Sequence, residues 1–488
     1  MRVYMKGSKM DSNSKFRWFK EDVCDRCGIC LEECPVVNLE KDVAVRDINA
    51  LIKGDVDRSL AFKRCTTCNM CDLLCPKGAD PYELILECFD NWGKRYGLPY
   101  LAKMVFPNEP ENIWSGIRPL MDADEVSLLQ AWEKNLDTPK EEILLTGFYT
   151  NLVPYLAQVS VLNDLKPVVA GSEGLWGCGG DTNKLGLIDL TSQVVELLRN
   201  KFSEMGVKKV YCFMEAEAAM LREILPSRYG ARFEFDALPL DYWILERLKD
   251  DKIEVKNRLN IKVTVHDNCM SRYLDMEPQR VVREIVRSVG CDIVEMEHFK
   301  ANALCCGWAA TIPTLYGSRS DNPLSTLLYL LSSLYRRMEE AYATGADAIV
   351  TSCPACYIFL NLIRVLTNSK MTVYHPLEIV EMAAGYEPSS KADKRCWDIL
   401  SVATNLMFNW ASSKDNRKRF FPRPVRPGQI EPIPAPKAND IKRIKAISGF
   451  YRSSIVQNPV TKAFVGYAVR IVIALYRIIL KRQDMMLS

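Results

Sequence analysis

Apolar positions change period several times along these 488 residues. Between residues 36 and 64 they fall at Val43, Val45, Ile48, Leu51 and Ile52, which fits a helix better than a strand. Residues 81–95 read as a second helix, closing that region. Residues 261–265 and 348–351 are short runs rich in β-branched side chains and bounded by turn residues, so they predict strands. Between them, Val281, Val282, Ile285, Val286 and Val289 share one face of a helix. The expected fold class is therefore α/β for two tandem domains at 141–255 and 256–411, each a parallel sheet with packed helices and ligands at the strand ends. An all-α domain at 21–110 precedes them, with a linker at 111–140.

The pattern breaks near residue 412. Lys414, Arg417, Lys418, Arg419, Arg423 and Arg426 alternate with Pro422, Pro424, Pro427, Pro432, Pro434 and Pro436. Such a segment, taken as 412–458, is extended and builds no core of its own. It is either disordered or an arm lying on another subunit, and the arm is the expectation. Residues 459–488 then turn apolar, but the charge-free runs 463–469 and 471–476 fall far short of the ~20 residues that span a bilayer. Lys462, Arg470, Arg477 and Lys481 share one helical stripe, so an amphipathic helix is expected, docked on a membrane face or membrane subunit. A helix packed on this protein's own core is the alternative.

Composition narrows the class. At this length, 48% apolar residues bury two or three cores. Residues 1–20 form a polar, basic tail with no apolar stretch of the signal-peptide kind. A formal charge of +3 with no basic, aromatic-interleaved motif gives no reason to expect nucleic acid. The 18 cysteines are too many for an ordinary cytosolic enzyme and cluster at metal-ligand spacing, not as a disulfide scaffold. Ligands of that kind must stay reduced, which places the protein on the cytoplasmic side.

Eight of them form two copies of C-x2-C-x2-C-x3-C-P: Cys24, Cys27, Cys30 and Cys34 before Pro35, and Cys65, Cys68, Cys71 and Cys75 before Pro76. This is the run of proteins with two [4Fe–4S] clusters, in which the fourth cysteine serves the other cluster. Cys24, Cys27, Cys30 and Cys75 are thus assigned to one cubane, and Cys65, Cys68, Cys71 and Cys34 to the second. Zinc is the rival ligand, but it rarely needs the third, regularly spaced cysteine.

Five more make a second pattern: Cys269, then Cys305-Cys306-Gly307 36 positions on, then Cys353-Pro354-Ala355-Cys356. Adjacent cysteines poorly serve one iron or zinc and suit a larger cluster, while the glycine lets the backbone approach it. Buried structural cysteine is the plain alternative, adequate for Cys291 or Cys396. The arrangement resembles the CCG domain of heterodisulfide reductase and its relatives. That resemblance implies a non-cubane [4Fe–4S] cluster on Cys269, Cys305, Cys306, Cys353 and Cys356, at which disulfides are reduced. A two-cluster ferredoxin module ahead of CCG domains is the HdrD layout of heterodisulfide reductases, shared by the iron–sulfur subunits of glycolate, lactate and glycerol-3-phosphate oxidases.

The earlier domain echoes this site without its ligands. Gly177-Cys178-Gly179 stands at the Cys-Cys-Gly position, Met214 and Glu217 at the Cys-x-x-Cys positions, and Phe148-Tyr149-Thr150 near the isolated cysteine. It reads as structural, with Cys178 or Cys212 as an alternative exchangeable thiol. One complete site most resembles the HdrD-like component of the membrane complex linked to dissimilatory sulfite reductase. The implied partners are a membrane cytochrome b-type quinol-oxidising subunit and a small sulfur-carrier protein or thiol/disulfide substrate. They would hold the chain peripherally on the cytoplasmic side of the membrane.

Three histidines, His266, His298 and His375, all fall in the second domain. Disulfide cleavage takes two protons, and His266 beside Asp267 is the candidate donor; a hydrogen-bonded turn residue is its plain alternative. Trp308 either shields the cluster or fills core. An electron-relay subunit serving a flavoprotein dehydrogenase, with no substrate of its own, is the second functional expectation. With two cubanes and one non-cubane cluster, anaerobically purified protein is expected to carry about 12 iron atoms per chain by metal analysis; a far lower content would remove the three-cluster reading.

Overall fold

The computed structural model describes residues 15–165, 167–168, 177–275, 277–316, 323–425 and 433–487. Most of the expected N-terminal tail, and Arg426, Pro427 and Pro432 of the expected arm, lie outside the described residues. The fold is mixed α/β and mostly helical.

The ferredoxin-like region is built from short helices around the eight cysteines. The helix Lys41–Lys53 buries Ala44, Ile48, Leu51 and Ile52 and leaves Val43 and Val45 half-buried. Its buried Asp47 accepts from the Ser59 hydroxyl at 2.7 Å and from the Leu60 and Ala61 amides, fixing the start of the next helix, Leu60–Arg64. The closing helix, Pro81–Tyr96, begins at a proline, whose missing N–H costs nothing there. Its Glu87 accepts the backbone N–H groups of Arg17, Trp18 and Phe19 at 2.6–3.0 Å, so residues 15–20 are strapped to the core.

Three sheets follow. Strand β1 (Leu98–Pro99) pairs antiparallel with β10 (Arg419–Phe420). The first four-stranded sheet holds β2 (Glu142–Leu145), β3 (Pro167–Val168), β4 (Lys209–Cys212) and β5 (Asp236–Pro239), in the order β3-β2-β4-β5. The second holds β6 (Lys262–Val265), β7 (Asp292–Ile293), β8 (Ala348–Val350) and β9 (Thr372–Tyr374), in the order β7-β6-β8-β9. Every pairing in both is parallel. The strand order reverses between β2 and β4, and again between β6 and β8. Such switch points leave a crevice at the carboxyl ends of the strands.

Two expectations change. Residues 412–425 lie on this chain, not on another subunit. Besides the β1–β10 pair, Phe420 packs edge-on against Phe106 at 5.6 Å, Arg423 bonds Glu109 and the Asn108 carbonyl, and the Val425 amide donates to Gln193 at 2.8 Å. The region 21–110 is consequently all-α except for β1, which exists because the arm pairs with it. The helix Ala438–Tyr451 then packs on Ala392–Ser412, with Ser448 donating to Asp398 at 3.0 Å.

The C-terminal helix Pro459–Leu487 lies along Pro323–Ala343. Ile473 is buried in this contact, and Arg477 bonds Glu339 at 2.8 Å and Ser332 at 3.0 Å. Val460, Phe464, Tyr467, Ile471, Val472, Leu475, Ile478 and Ile479 are exposed. Arg477 of the basic stripe thus faces the protein, and apolar positions face out. Among the described residues no helix is long and apolar enough to cross a membrane.

One buried ion pair joins these parts. Arg395 reaches both carboxylate oxygens of Glu125 at 2.6 and 2.7 Å and the Leu152 carbonyl, with both side chains sealed from solvent. Breaking such a pair strands a buried charge. Arg395→Met is expected to destabilise the protein by about 3–5 kcal/mol, seen as a lower melting temperature. Arg395→Met with Glu125→Met should recover most of the loss.

Candidate iron–sulfur centres and cleft

The structure brings the first eight cysteines together across their two motifs. Cys24, Cys27 and Cys30 lie near Cys75, while Cys34 neighbours Cys65, Cys68 and Cys71. Backbone N–H groups point at the sulfurs: Val37 to Cys34 at 3.4 Å, Thr67 to Cys65 at 3.3 Å and Ala79 to Cys75 at 3.4 Å. All-sulfur donor sets with amide hydrogen bonds to sulfur fit iron–sulfur clusters, whose potentials such bonds tune.

The later five converge as well. Their thiols form a string of contacts running Cys269, Cys305, Cys306, Cys356, Cys353. Cys269 follows β6 and Cys353 follows β8, on the two sides of the switch point. The Gly307 amide donates to Cys305 at 3.4 Å. Gly307 itself has φ +105°, and a side chain there would come within 2.8 Å of the Leu334 backbone nitrogen, so the turn demands glycine. Hydrogen bonds from Cys305 and Cys356 pull Cys306 down to about 5, while the Cys305 hydrogen bond and burial push Cys269 well above the ordinary thiol range.

These sulfurs form one wall of a cleft with about 680 Å3 of space counted out to its open mouth. The other wall comes from the first α/β half. Met214 and Cys353 are each the extended residue, at φ −105° and −94°, before the helix after the third strand of their sheet. Gly179 and Gly307 are each the left-handed residue before the helix that follows. Phe148, Gly177, Cys178, Met214 and Glu217 therefore stand opposite the five cysteines, position for position, and all line the cleft. Phe148 is held by Trp114, whose ring stacks on it at 3.6 Å and whose indole N–H donates to its carbonyl. Cys178 and Cys212 are buried, and desolvation pushes both well above the ordinary thiol range. That keeps them protonated and poor nucleophiles.

Trp308 lines the cleft, stacked on Phe359 at 4.7 Å. Asp267 is committed to Arg283 at 2.6 and 2.9 Å and to the Lys300 amide. His266 lies behind the sulfurs, outside the cleft lining. One of its ring nitrogens is within 4.8 Å of the Cys306 and Cys356 sulfurs, and Nδ1 accepts from Arg337 at 2.8 Å. Arg337 has no acceptor to offer, so the proton of the neutral ring sits on Nε2. Burial and the Arg337 charge push His266 down to about 3. This geometry makes it a neutral, buried neighbour of Cys306 and Cys356 that does not line the cleft. His375 accepts from the Leu377 amide at 3.2 Å and bonds the Ser352 carbonyl at 2.9 Å, tethering the residue before Cys353. His298 pairs with Glu340 at 2.9 Å, away from the cleft.

Sequence reasoning missed three residues of the site. Lys184, from the first half, reaches the Cys269 sulfur at 3.2 Å and the Thr67 carbonyl at 3.3 Å. Arg272 donates to the Cys68 carbonyl at 2.7 Å and to the carbonyls of Ala301 and Ala303, just before Cys305. These two cations join the second cubane set to the cleft. Glu215 accepts from Asn268 at 2.8 Å and from the hydroxyls of Ser271 and Ser352, gripping both loops that carry Cys269 and Cys353.

The cysteine-rich (CCG) domain family matches residues 263–361, and the 4Fe-4S dicluster domain family matches 21–79. The HdrD polypeptide of dihydromethanophenazine:CoB–CoM heterodisulfide reductase from Methanosarcina barkeri is 24% identical over 75% of this chain and 95% of its own length. This chain is an HdrD-like iron–sulfur oxidoreductase, distantly related to the heterodisulfide reductases. The Methanosarcina mazei HdrD is 26% identical, covering 75% of this chain and 94% of that one. EtfAB:quinone oxidoreductase of Syntrophomonas wolfei is 22% identical over 69% of this chain and 54% of its own. The dicluster match implies two cubane clusters, and the CCG match a further iron–sulfur site. That family covers the second α/β half; the first shares its strand order but is not matched.

Burial pulls Lys184 down, yet the negative sulfurs of Cys269 and Cys305 outweigh it and hold the lysine above its ordinary range. Lys184→Gln is expected to lower the potential of the centre at Cys269 by on the order of 100 mV, the one-electron equivalent of a unit charge lost from about 8 Å at an effective dielectric near 20. Lys184→Arg should keep most of it. An EPR-monitored redox titration reads the shift.

Proposed function

We propose that this protein is the catalytic iron–sulfur subunit of a membrane-associated quinol:disulfide oxidoreductase. Its substrate would be a small disulfide or a sulfur-loaded carrier protein. The observation that carries the reading is the convergence of five cysteines on an open cleft beside the second cubane set. A pure relay gains from sealed centres, whereas a cleft at the last centre serves a substrate.

A non-cubane [4Fe–4S] group on Cys269, Cys305, Cys306, Cys353 and Cys356 supplies, when bound, one-electron reduction of a sulfur–sulfur bond. The protein's own residues do the rest. Phe148, Tyr149 and Trp308 give the cleft apolar walls that exclude water from the sulfurs. Lys184 places positive charge where negative charge collects. Glu215 and His375 fix the loops that carry Cys269 and Cys353. Electrons enter at the Cys24, Cys27, Cys30 and Cys75 set and pass through the Cys65, Cys68, Cys71 and Cys34 set. The donor is a quinol oxidised by a membrane cytochrome b-type partner, with this chain held peripherally on the cytoplasmic side. The exposed apolar stripe of Pro459–Leu487 supports such a partner.

A second reading draws on the similarity to a protein named EtfAB:quinone oxidoreductase. There the chain is an electron-transfer subunit for a glycolate, lactate or glycerol-3-phosphate dehydrogenase, without a substrate of its own. EPR separates the two. Oxidised protein given 2-mercaptoethanol or hydrosulfide is expected to develop a new paramagnetic signal that Cys305→Ser abolishes. A wild-type spectrum indifferent to thiols would favour the relay.

A further inference from the structure

The half that lacks the cysteines is not a blank wall. Glu217 occupies the position that Cys356 holds in the other half, and it lines the same cleft as the five sulfurs. It is 2% exposed, and its Oε2 has no hydrogen-bond partner among the described residues. The backbone is shaped around this carboxyl: Gly147, at φ +71°, leaves room for it, and any side chain there would run into the carboxylate. An unpaired, ionised carboxylate in such a place would cost several kcal/mol, far more than a neutral acid. Burial accordingly pushes Glu217 well above the ordinary carboxylate range, with the Met214 backbone amide offsetting only part of that push. In a cleft shared with five sulfurs, a carboxyl that keeps its proton has one evident use.

We infer that Glu217 donates a proton from its carboxyl group to a sulfur atom released when the substrate's sulfur–sulfur bond is cleaved. This rests on the disulfide-reducing reading above. The overall change is R–S–S–R′ + 2 e− + 2 H+ → R–SH + R′–SH. Both electrons come one at a time from the quinol through the two cubane sites. One proton comes from Glu217, and the other from water at the cleft mouth, where Asp181, Lys184 and Cys269 are partly exposed. The glutamate regains its proton from the same water. His266 has no part in the transfer, because it lies behind the cysteines.

The test uses the full, cluster-loaded protein with reduced benzyl viologen as donor and 2-hydroxyethyl disulfide as probe. Glu217→Gln, a near-isosteric change, is expected to cut disulfide turnover about 100-fold. Iron content and the rate at which viologen reduces the clusters should not change. Glu217→Asp should restore part of the turnover. Independently of activity, the infrared spectrum of wild-type protein is expected to show a protonated-carboxyl C=O band, sensitive to D2O, that Glu217→Gln lacks. Wild-type turnover in Glu217→Gln, or identical carboxyl bands in the two proteins, would overturn the assignment alone. Failure of wild-type protein to reduce the probe would overturn the disulfide-reducing reading and this one together.

Discussion

A sulfur that binds iron does so as thiolate, and thiolates gathered in a protein interior lose hydration and repel one another. Left bare, Cys30, Cys65, Cys71 and Cys356 stay protonated: burial pushes the first three up, and a neighbouring thiol with burial does the same to Cys356. The chain answers with donors that need no charge of their own and with cations that do. Amides of Val37, Thr67, Ala79 and Gly307 point at sulfur. Lys184 lies on Cys269, and Arg272 grips the backbone of Cys68. Both devices require backbone to pass close to sulfur, which is why tight turns and a glycine at 307 accompany the ligands. Iron supplies the remaining positive charge, so metal binding and the fold of these loops are coupled.

How the two α/β halves divide the work follows from that constraint. One half gathers the sulfurs at its switch point. The other keeps the same strand order but offers Phe148, Gly177, Cys178, Met214 and Glu217 at the matching positions. Its first expected role, a structural one, is only part of what it does. Glu215 clamps the two ligand loops of its neighbour, and Lys184 supplies the cation beside Cys269. Neither residue belongs to the half whose chemistry it supports. A site built at the seam of two sheets makes each half incomplete alone.

Much of this was legible in the residues and some was not, for physical reasons. The cysteine spacings, the helix over 41–53, the strands at 262–265 and 348–350 and the amphipathic helix at 277–288 are local signals, written in neighbouring side chains. Lys184, Glu215 and Arg272 are not, because a lone lysine or glutamate carries no mark of the sulfur or serine it meets 56 to 137 residues away. The arm was misplaced for a related reason. Its prolines and arginines announce an extended segment without announcing what it lies on, and Phe420 against Phe106 is a contact that only tertiary structure creates. Similarly, the basic stripe of the last helix marks a face without saying that Arg477 turns inward to Glu339.

Exposure along the three sulfur sets falls and then rises, and this ordering bears on direction. In the first set Cys24 and Cys27 are partly exposed while Cys30 and Cys75 are buried; Cys34, Cys65, Cys68 and Cys71 are all buried; Cys269 is again partly exposed, at the cleft. A centre near the surface can exchange electrons with a partner protein, while one sealed inside exchanges only with its neighbours. The first set, through Cys24 and Cys27, is the end open to exchange with the outside. The last set opens on the cleft lined by Phe148, Tyr149 and Trp308. The buried middle set is joined to the cleft by Lys184 on the Thr67 carbonyl and Arg272 on the Cys68 carbonyl. An oxidoreductase arranged this way has openings at its first and last sulfur sets and a buried set between them.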